Sequence, residues 1–148
     1  MSLTASYRTE IVIPKPQLAQ FQANVKGVPC LEIMRLAVEK IARERNGMVT
    51  DGYEDCAGKR HRCIMGLRTQ RLPRGLGVTV TTDGRVRFEY DRQGADMAEA
   101  EAISQDLARA YAVIAIMRFQ KQHGCQVSIE RESSGPRRRE VQISAVQA

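Results

Sequence analysis

The sequence predicts a single α+β domain with a mainly antiparallel sheet, packed by a long helix over residues 96–123 and by one or two helices near the N-terminus. Strand-like patterns lie both before and after long helical patterns, and two pairs of strands are close enough to form hairpins. The length of 148 residues, with 43% hydrophobic side chains, corresponds to one domain with a packed core. Global disorder and a multidomain enzyme are therefore excluded.

The N-terminal third is predicted to form one strand and two helices. Apolar and polar residues alternate over residues 7–13, as in a half-buried strand. Pro14 ends this strand, and the helix after it extends toward Gly27. A second helix is expected over residues 30–46, because Gly47 follows it and apolar residues recur at helical spacing. The apolar stripe consists of Ile33, Met34, Ala37, Val38 and Ile41.

The middle of the chain is predicted to supply most of the sheet. Residues 48–53 form a short strand or an extended loop, residues 55–59 form a turn, and residues 60–69 form a longer strand. On that longer strand, alternation assigns to the core face Cys63, Met65 and Leu67.

The next hairpin has a register that the apolar pattern selects. Apolar side chains alternate before and after a polar turn that ends at Gly84. A two-residue loop would mix apolar and charged side chains on one face. A three-residue loop places Val80 opposite Val86, and Val78 opposite Phe88. Because a slip of one residue turns every side chain to the other face, we predict the three-residue loop with Gly84 in a left-handed conformation.

The long helix over residues 96–123 has acidic residues near its start and basic residues near its end, which suits the helix dipole. Residues 110–117 are apolar on nearly every face of the helix, so the second half of the helix is expected to be buried on more than one side. Gly124 is the expected C-terminal cap, and a hairpin with a loop over residues 132–138 is predicted to follow. The core stripe of the helix consists of Ile103, Leu107, Tyr111 and Ile114.

Composition also limits the cellular setting and the cofactors. No apolar run approaches the ~18 residues of a membrane span, and the first residues lack the pattern of a secretory signal. We therefore expect a cytoplasmic protein without a membrane partner, whose four cysteines stay reduced. The gap between Cys56 and Cys63 is longer than the spacings usual in zinc sites, so neither a metal site nor a cofactor is predicted.

The clearest functional pattern is the basic segment, residues 59–74. The chain has a net charge of +6 at pH 7, and this segment carries six cations without any acid, so the rest of the chain is nearly neutral. On an unbroken strand Arg60, Arg62 and Arg68 would share one face, with two further arginines on the following loop. The cations predicted to bind a partner are Lys59, Arg60, Arg62, Arg68, Arg71 and Arg74.

A basic surface of this kind suits an anionic partner. The preferred prediction is a non-catalytic accessory or adaptor protein that binds an anionic protein complex. The first alternative is a nucleic-acid-binding module that contacts the RNA or DNA backbone with the same face. The basic segment contains no aromatic residue on which bases would stack. A solvated outer face of the sheet is the third interpretation.

A small cysteine-dependent enzyme is the second functional alternative. His61 and Cys63 are two residues apart, so on a strand they share a face and a Cys–His pair is conceivable. Neither residue has the sequence context of a known cysteine hydrolase. No catalytic residue is therefore assigned, and binding is favoured over catalysis.

Short motifs along these elements are similar to those of a known family. They are Tyr7-x-Thr9, Gly52-Tyr53, Gln105-x5-Tyr111-Ala112 and Gly124-x-x-Val127. The chain resembles the plastid and cyanobacterial family called hypothetical chloroplast reading frame thirty-five, a domain of unknown function also found in other bacteria. It departs from that family in lacking tryptophan and in its helix over residues 30–46, which looks like an insertion. The resemblance implies a small cytosolic accessory protein associated with AAA+ ATPases, and it implies no catalytic residues.

Overall fold

The computed structural model describes residues 3–123, 125–129, 133–135, 138–140 and 143–147, with side chains over residues 3–121. Its N-terminal part contains β1 (Thr4–Val12), α1 (Lys15–Gln22), α2 (Pro29–Glu44) and β2 (Met48–Glu54). Next come β3 (Arg60–Arg68), β4 (Leu76–Val80), β5 (Arg85–Asp91) and α3 (Met97–His123). The remaining strands are β6 (Cys125–Ile129), β7 (Ser133–Gly135), β8 (Arg138–Glu140) and β9 (Ile143–Gln147).

Strands β1 to β5 form one antiparallel sheet in the order β1-β5-β4-β3-β2. Strands β2 to β5 form a meander, and β1 pairs with β5. Among the described strands, β1 and β2 are the edges of this sheet. The predicted α+β class with a mainly antiparallel sheet is confirmed.

The core lies between one face of this sheet and the helices α2 and α3. Leu67, Leu76 and Phe88 on the sheet are fully buried, as are Val38 on α2 and Leu107 on α3. Burial of these apolar surfaces provides most of the stability of such a layer. The predicted apolar stripes of both helices are therefore the contact surfaces, although Ile33 on α2 and Tyr111 and Ile114 on α3 are only half-buried. We refer to the sheet face away from the helices as the outer face.

The second half of α3 is less buried than predicted. Residues 111–115 are half-buried, and Met117 is 62% exposed. A helix of 27 residues is about 40 Å long, whereas a strand of nine residues spans about 30 Å. The helix α3 is thus longer than any strand of the five-stranded sheet.

The central hairpin has the predicted register. Val80 pairs with Val86, and Val78 pairs with Phe88. Thr81 donates its backbone N–H to the carbonyl of Arg85 at 2.9 Å, which leaves a three-residue loop. Gly84 has a φ of 92°, the left-handed conformation that glycine adopts without steric cost.

Strand β3 does not alternate without interruption, in contrast to the prediction. Thr50 pairs with Gly66, and Gly52 pairs with Arg62. Two steps along β2 thus match four steps along β3, which is an irregularity of the bulge type. Because of this irregularity, the alternation of side chains between the core face and the outer face does not continue unchanged from one end of β3 to the other.

The irregularity turns Cys63 away from the core. Leu76 and Val78 are fully buried core residues, so the intervening Gly77 faces the outer side of the sheet. A Cβ added at Gly77 would overlap the Sγ of Cys63, which therefore lies on the outer face. Leu67 keeps its predicted place in the core. The predicted core position of Cys63 is wrong because uniform alternation ignores the extra residues.

The C-terminal strands form two separate antiparallel pairs. β6 pairs with β9, with Val127 opposite Ala145 and Ile129 opposite Ile143, as the predicted terminal hairpin requires. The predicted loop over residues 132–138 is not entirely irregular, because β7 and β8 pair with each other there. Gly124, the predicted cap of α3, lies outside the described residues. Within the part of the chain that the structure describes, no helix combines the length and apolarity needed to cross a bilayer.

Candidate functional site

The tip of the β2–β3 hairpin carries the densest part of the basic segment. The Asp55 backbone N–H donates to the carbonyl of Lys59 at 2.9 Å, which closes the turn. The Oδ1 atom of Asp55 accepts hydrogen bonds from the N–H groups of Ala57 at 2.9 Å and Lys59 at 3.0 Å. Gly58 completes the turn with a φ of 82°. The predicted turn over residues 55–59 is thus confirmed, with a buried aspartate at its centre.

A histidine and a tyrosine stabilise the same tip. His61 Nε2 lies 2.9 Å from the second carboxylate oxygen of Asp55. The His61 ring stacks on Tyr53, with ring centroids 4.8 Å apart and planes at 4°. The hydrogen bond to His61 is the main reason that the pKa of Asp55 is below its usual value. Tyr53 is only 5% exposed, and burial raises the pKa of its hydroxyl.

Asp91, at the end of β5, anchors the hairpin tip to the rest of the sheet. Its Oδ2 atom accepts the backbone N–H of Cys56 at 2.7 Å. Its Oδ1 atom accepts the N–H groups of Leu3 and Gln93, each at 2.9 Å. Burial opposes ionisation of Asp91, but these three N–H groups and the nearby Arg74 guanidinium lower its pKa to about 2. Asp91 is therefore a charged acceptor that joins three separate chain segments.

The cations of the hairpin tip point into solvent. Arg60 and Arg62 both approach the carboxylate of Asp51, and the Arg62 side chain is 86% exposed. Lys59 is exposed as well. Arg62 pairs in register with Gly52, which has no side chain to cover the guanidinium. Two of these cations thus approach one partly exposed carboxylate.

The other three arginines of the basic segment are engaged elsewhere. Arg71 forms an ion pair with Asp96 at 2.8 Å. Arg74 lies 3.9 Å from Asp91 and donates to the carbonyl of Gln93. These two arginines on the loop between β3 and β4 are neutralised internally, a result that the sequence did not predict.

Arg68 is also separated from the tip cations. It follows the buried Leu67, whereas Arg62 precedes Cys63, which faces outward. Arg62 and Arg68 therefore lie on opposite faces of β3, and the predicted shared face does not form. The guanidinium of Arg68 contacts the Sδ of Met48 at 3.3 Å instead.

Cys63 does not have the surroundings of a nucleophile. Burial, together with the nearby carboxylates of Glu89 and Asp51, raises the pKa of its thiol to about 11. A reactive cysteine needs the opposite shift, since the thiolate is the attacking species. The Sγ atom contacts the backbone carbonyl of His61 at 3.5 Å, while the imidazole bonds Asp55. Among residues 3–121, no three His, Cys, Asp or Glu side chains converge as a metal site requires.

Of the two acidic residues that organise this site, sequence reasoning placed Asp55 in a turn but missed Asp91. Asp55 followed by Gly58 is typical of an Asx turn, so its role was detectable from the sequence. The contacts of Asp91 with Cys56 and Arg74 were not, because they join residues far apart in sequence. No sequence signal pairs Arg8 with Arg87, which lie side by side on the outer face.

Comparison of the chain with protein-family models, with curated proteins and with solved structures gave no significant match.

Proposed function

We propose that the protein is a non-catalytic adaptor that binds an acidic surface of a partner protein through its basic hairpin tip, defined as Lys59, Arg60 and Arg62. The proposal rests on how few carboxylates among residues 3–121 neutralise these three cations. Arg60 and Arg62 share the single carboxylate of Asp51. Within residues 3–121, no carboxylate lies within ion-pair distance of Lys59. Cations that internal carboxylates neutralise only in part attract acidic surfaces and accelerate association with them.

The rigidity of the tip supports the same proposal. Asp55 closes the turn with three hydrogen bonds, and Asp91 ties Cys56 to the sheet. Tyr53 stacks on His61 in the same hairpin. A surface that is already ordered loses less conformational entropy when a partner binds. The tip is therefore organised for binding before the partner arrives.

One observation favours a protein partner over nucleic acid. Tyr53, the aromatic residue at the tip, is buried against His61 and offers no ring for base stacking. An AAA+ ATPase, the partner class implied by the family resemblance, is the first protein to test.

The test is purification of the tagged protein from its native cells, followed by identification of bound proteins. The binding of the identified partner is then measured for the wild type and for a Lys59→Glu/Arg62→Glu variant. This variant keeps the pair between Arg60 and Asp51. Two reversed interface charges are expected to weaken binding by about tenfold or more and to reduce its dependence on salt.

The matched control is Arg35→Glu/Arg43→Glu on α2, which changes the net charge by the same amount at two exposed positions. Equal weakening by both variants would mean that only the overall charge matters, and it would contradict the proposed surface. Nucleic acid is tested with a short single-stranded RNA in the same assay. RNA binding that is lost only in the Lys59→Glu/Arg62→Glu variant would contradict the adaptor function and support the alternative function, a nucleic-acid-binding module.

A further inference from the structure

Two arginines face each other on the outer side of the sheet, away from the basic hairpin tip. Arg8 on β1 and Arg87 on β5 are direct partners in the antiparallel register. Their neighbours Tyr7 and Phe88 are also partners, and these two rings stack with centroids 6.0 Å apart on the core side. Because side chains alternate along a strand, Arg8 and Arg87 project from the outer face.

This pair is unfavourable within the isolated chain. Like charges at directly opposite positions of antiparallel strands repel each other. Within residues 3–121, neither guanidinium has a carboxylate within ion-pair distance. The Nε atom of Arg87 is buried and has no hydrogen-bond partner, which leaves a charged donor without compensation. The repulsion between the two guanidinium groups is the cost that a bound anion would offset.

We propose that Arg8 and Arg87 form a binding site for the phosphate group of a small phosphorylated molecule. Paired guanidinium groups present several N–H donors to one oxyanion, an arrangement that matches phosphate. Ser6 and Thr79 add hydroxyl groups on the same face, one two residues before Arg8 and the other opposite Arg87. The site lies on β1 and β5, so it does not depend on the proposed function of the β2–β3 tip.

The surrounding charges favour a single phosphate over a polyanion. Glu89 lies two residues from Arg87 on the same face, opposite Ser6. Glu10 lies two residues after Arg8 on β1, and its carboxylate is 3.8 Å from the guanidinium of Arg85. A nucleic-acid strand laid along this face would bring further phosphates close to these carboxylates. One phosphate group meets both arginines without that repulsion.

Thermal unfolding with inorganic phosphate as the probe tests the site. The reference is sodium chloride at the same ionic strength. At a phosphate concentration about five times the dissociation constant, the wild-type Tm is expected to rise by about 2–4 °C relative to this reference. Arg8→Gln should remove this increment, because Arg8 is exposed and its loss leaves the fold intact. In chloride alone, the Tm of this variant should equal or exceed that of the wild type, because the repulsion is relieved.

The control is Arg43→Gln, which removes one exposed arginine from α2 and should keep the full phosphate increment. Phosphate also stabilises proteins in general by exclusion from their surface. Equal increments in the wild type, Arg8→Gln and Arg43→Gln would show only that general effect, and the proposal would be wrong. The absence of any increment in the wild type would overturn it too. Titration with a short single-stranded RNA adds a further outcome, since RNA binding that depends on Arg8 and exceeds phosphate binding would exclude a small ligand.

Discussion

The carboxylate of Asp91 accepts the backbone N–H of Cys56 at 2.7 Å, a contact between residues 35 positions apart in the chain. It connects the end of β5 with the turn that carries the basic hairpin tip. The same carboxylate accepts two further N–H groups, so the tip, the N-terminal strand and the loop after β5 meet at one charge. The orientation of the tip cations therefore depends on an acid outside the basic segment.

Asp91→Asn is expected to make the free energy of unfolding less dependent on pH at acidic pH. The pKa of Asp91 is about 2 in the folded protein and about 3.9 in an unfolded chain. Between these values the unfolded chain binds more protons, so the wild-type protein loses stability as the pH falls from about 4 to about 2. The variant lacks this contribution at every pH. Urea unfolding across this pH window measures the effect, and an unchanged slope would show that Asp91 is not the charged anchor.

Arg45→Ala is expected to destabilise the contact between α2 and α3 by about 3 kcal/mol. Arg45 bonds Glu99, which is 5% exposed, and Asp106, while Thr69 donates to the other Glu99 oxygen at 3.1 Å. Loss of the guanidinium leaves the Glu99 charge buried without its partner. Denaturant unfolding gives the difference in free energy.

Lys40→Ala is the control for this ion pair. Lys40 pairs with Glu44 on the exposed surface of α2, and its loss should cost less than about 0.5 kcal/mol. Similar losses in the Arg45 and Lys40 variants would contradict the assigned role of the buried network.

Gly77→Ala tests the position of Cys63. The added methyl group would overlap Cys63 Sγ and approach Tyr53, so we expect a loss of roughly 1–3 kcal/mol. Combining it with Cys63→Ala removes the Sγ atom, and the double variant should recover part of that loss. If Cys63 faced the core, as regular alternation predicts, the two effects would simply add. A double-mutant cycle by urea unfolding distinguishes these results.

Alkylation rates test the state of the Cys63 thiol. With a pKa of about 11, the thiol is almost fully protonated at pH 8. Its reaction with iodoacetamide should be roughly 100-fold slower in the folded protein than in the unfolded chain. Peptide mapping by mass spectrometry separates Cys63 from the exposed Cys56, which serves as the internal reference. Rapid labelling of folded Cys63 would reopen the cysteine-dependent enzyme.

Local pattern was enough for several elements of the fold. The predicted helix over residues 30–46 is observed as Pro29–Glu44, and that over residues 96–123 is observed as Met97–His123. The register of Val80 with Val86 also followed from the sequence, because a short loop leaves few ways to bury both apolar faces. Periodicity and turn chemistry act over a few residues, and a single sequence displays them directly.

Only the tertiary structure decided which charges remain available. The six cations of the basic segment are adjacent in sequence, but Arg71 pairs with Asp96 and Arg74 lies beside Asp91. The irregularity in β3 separates Arg68 from Arg62. The pairing of β1 with β5 brings Arg8 opposite Arg87, although β1 and β5 are the first and last strands of this sheet in sequence. Sequence alone thus determined the α+β class and where cations are concentrated, whereas long-range contacts determined which of them are free, since ion pairing depends on distance in space.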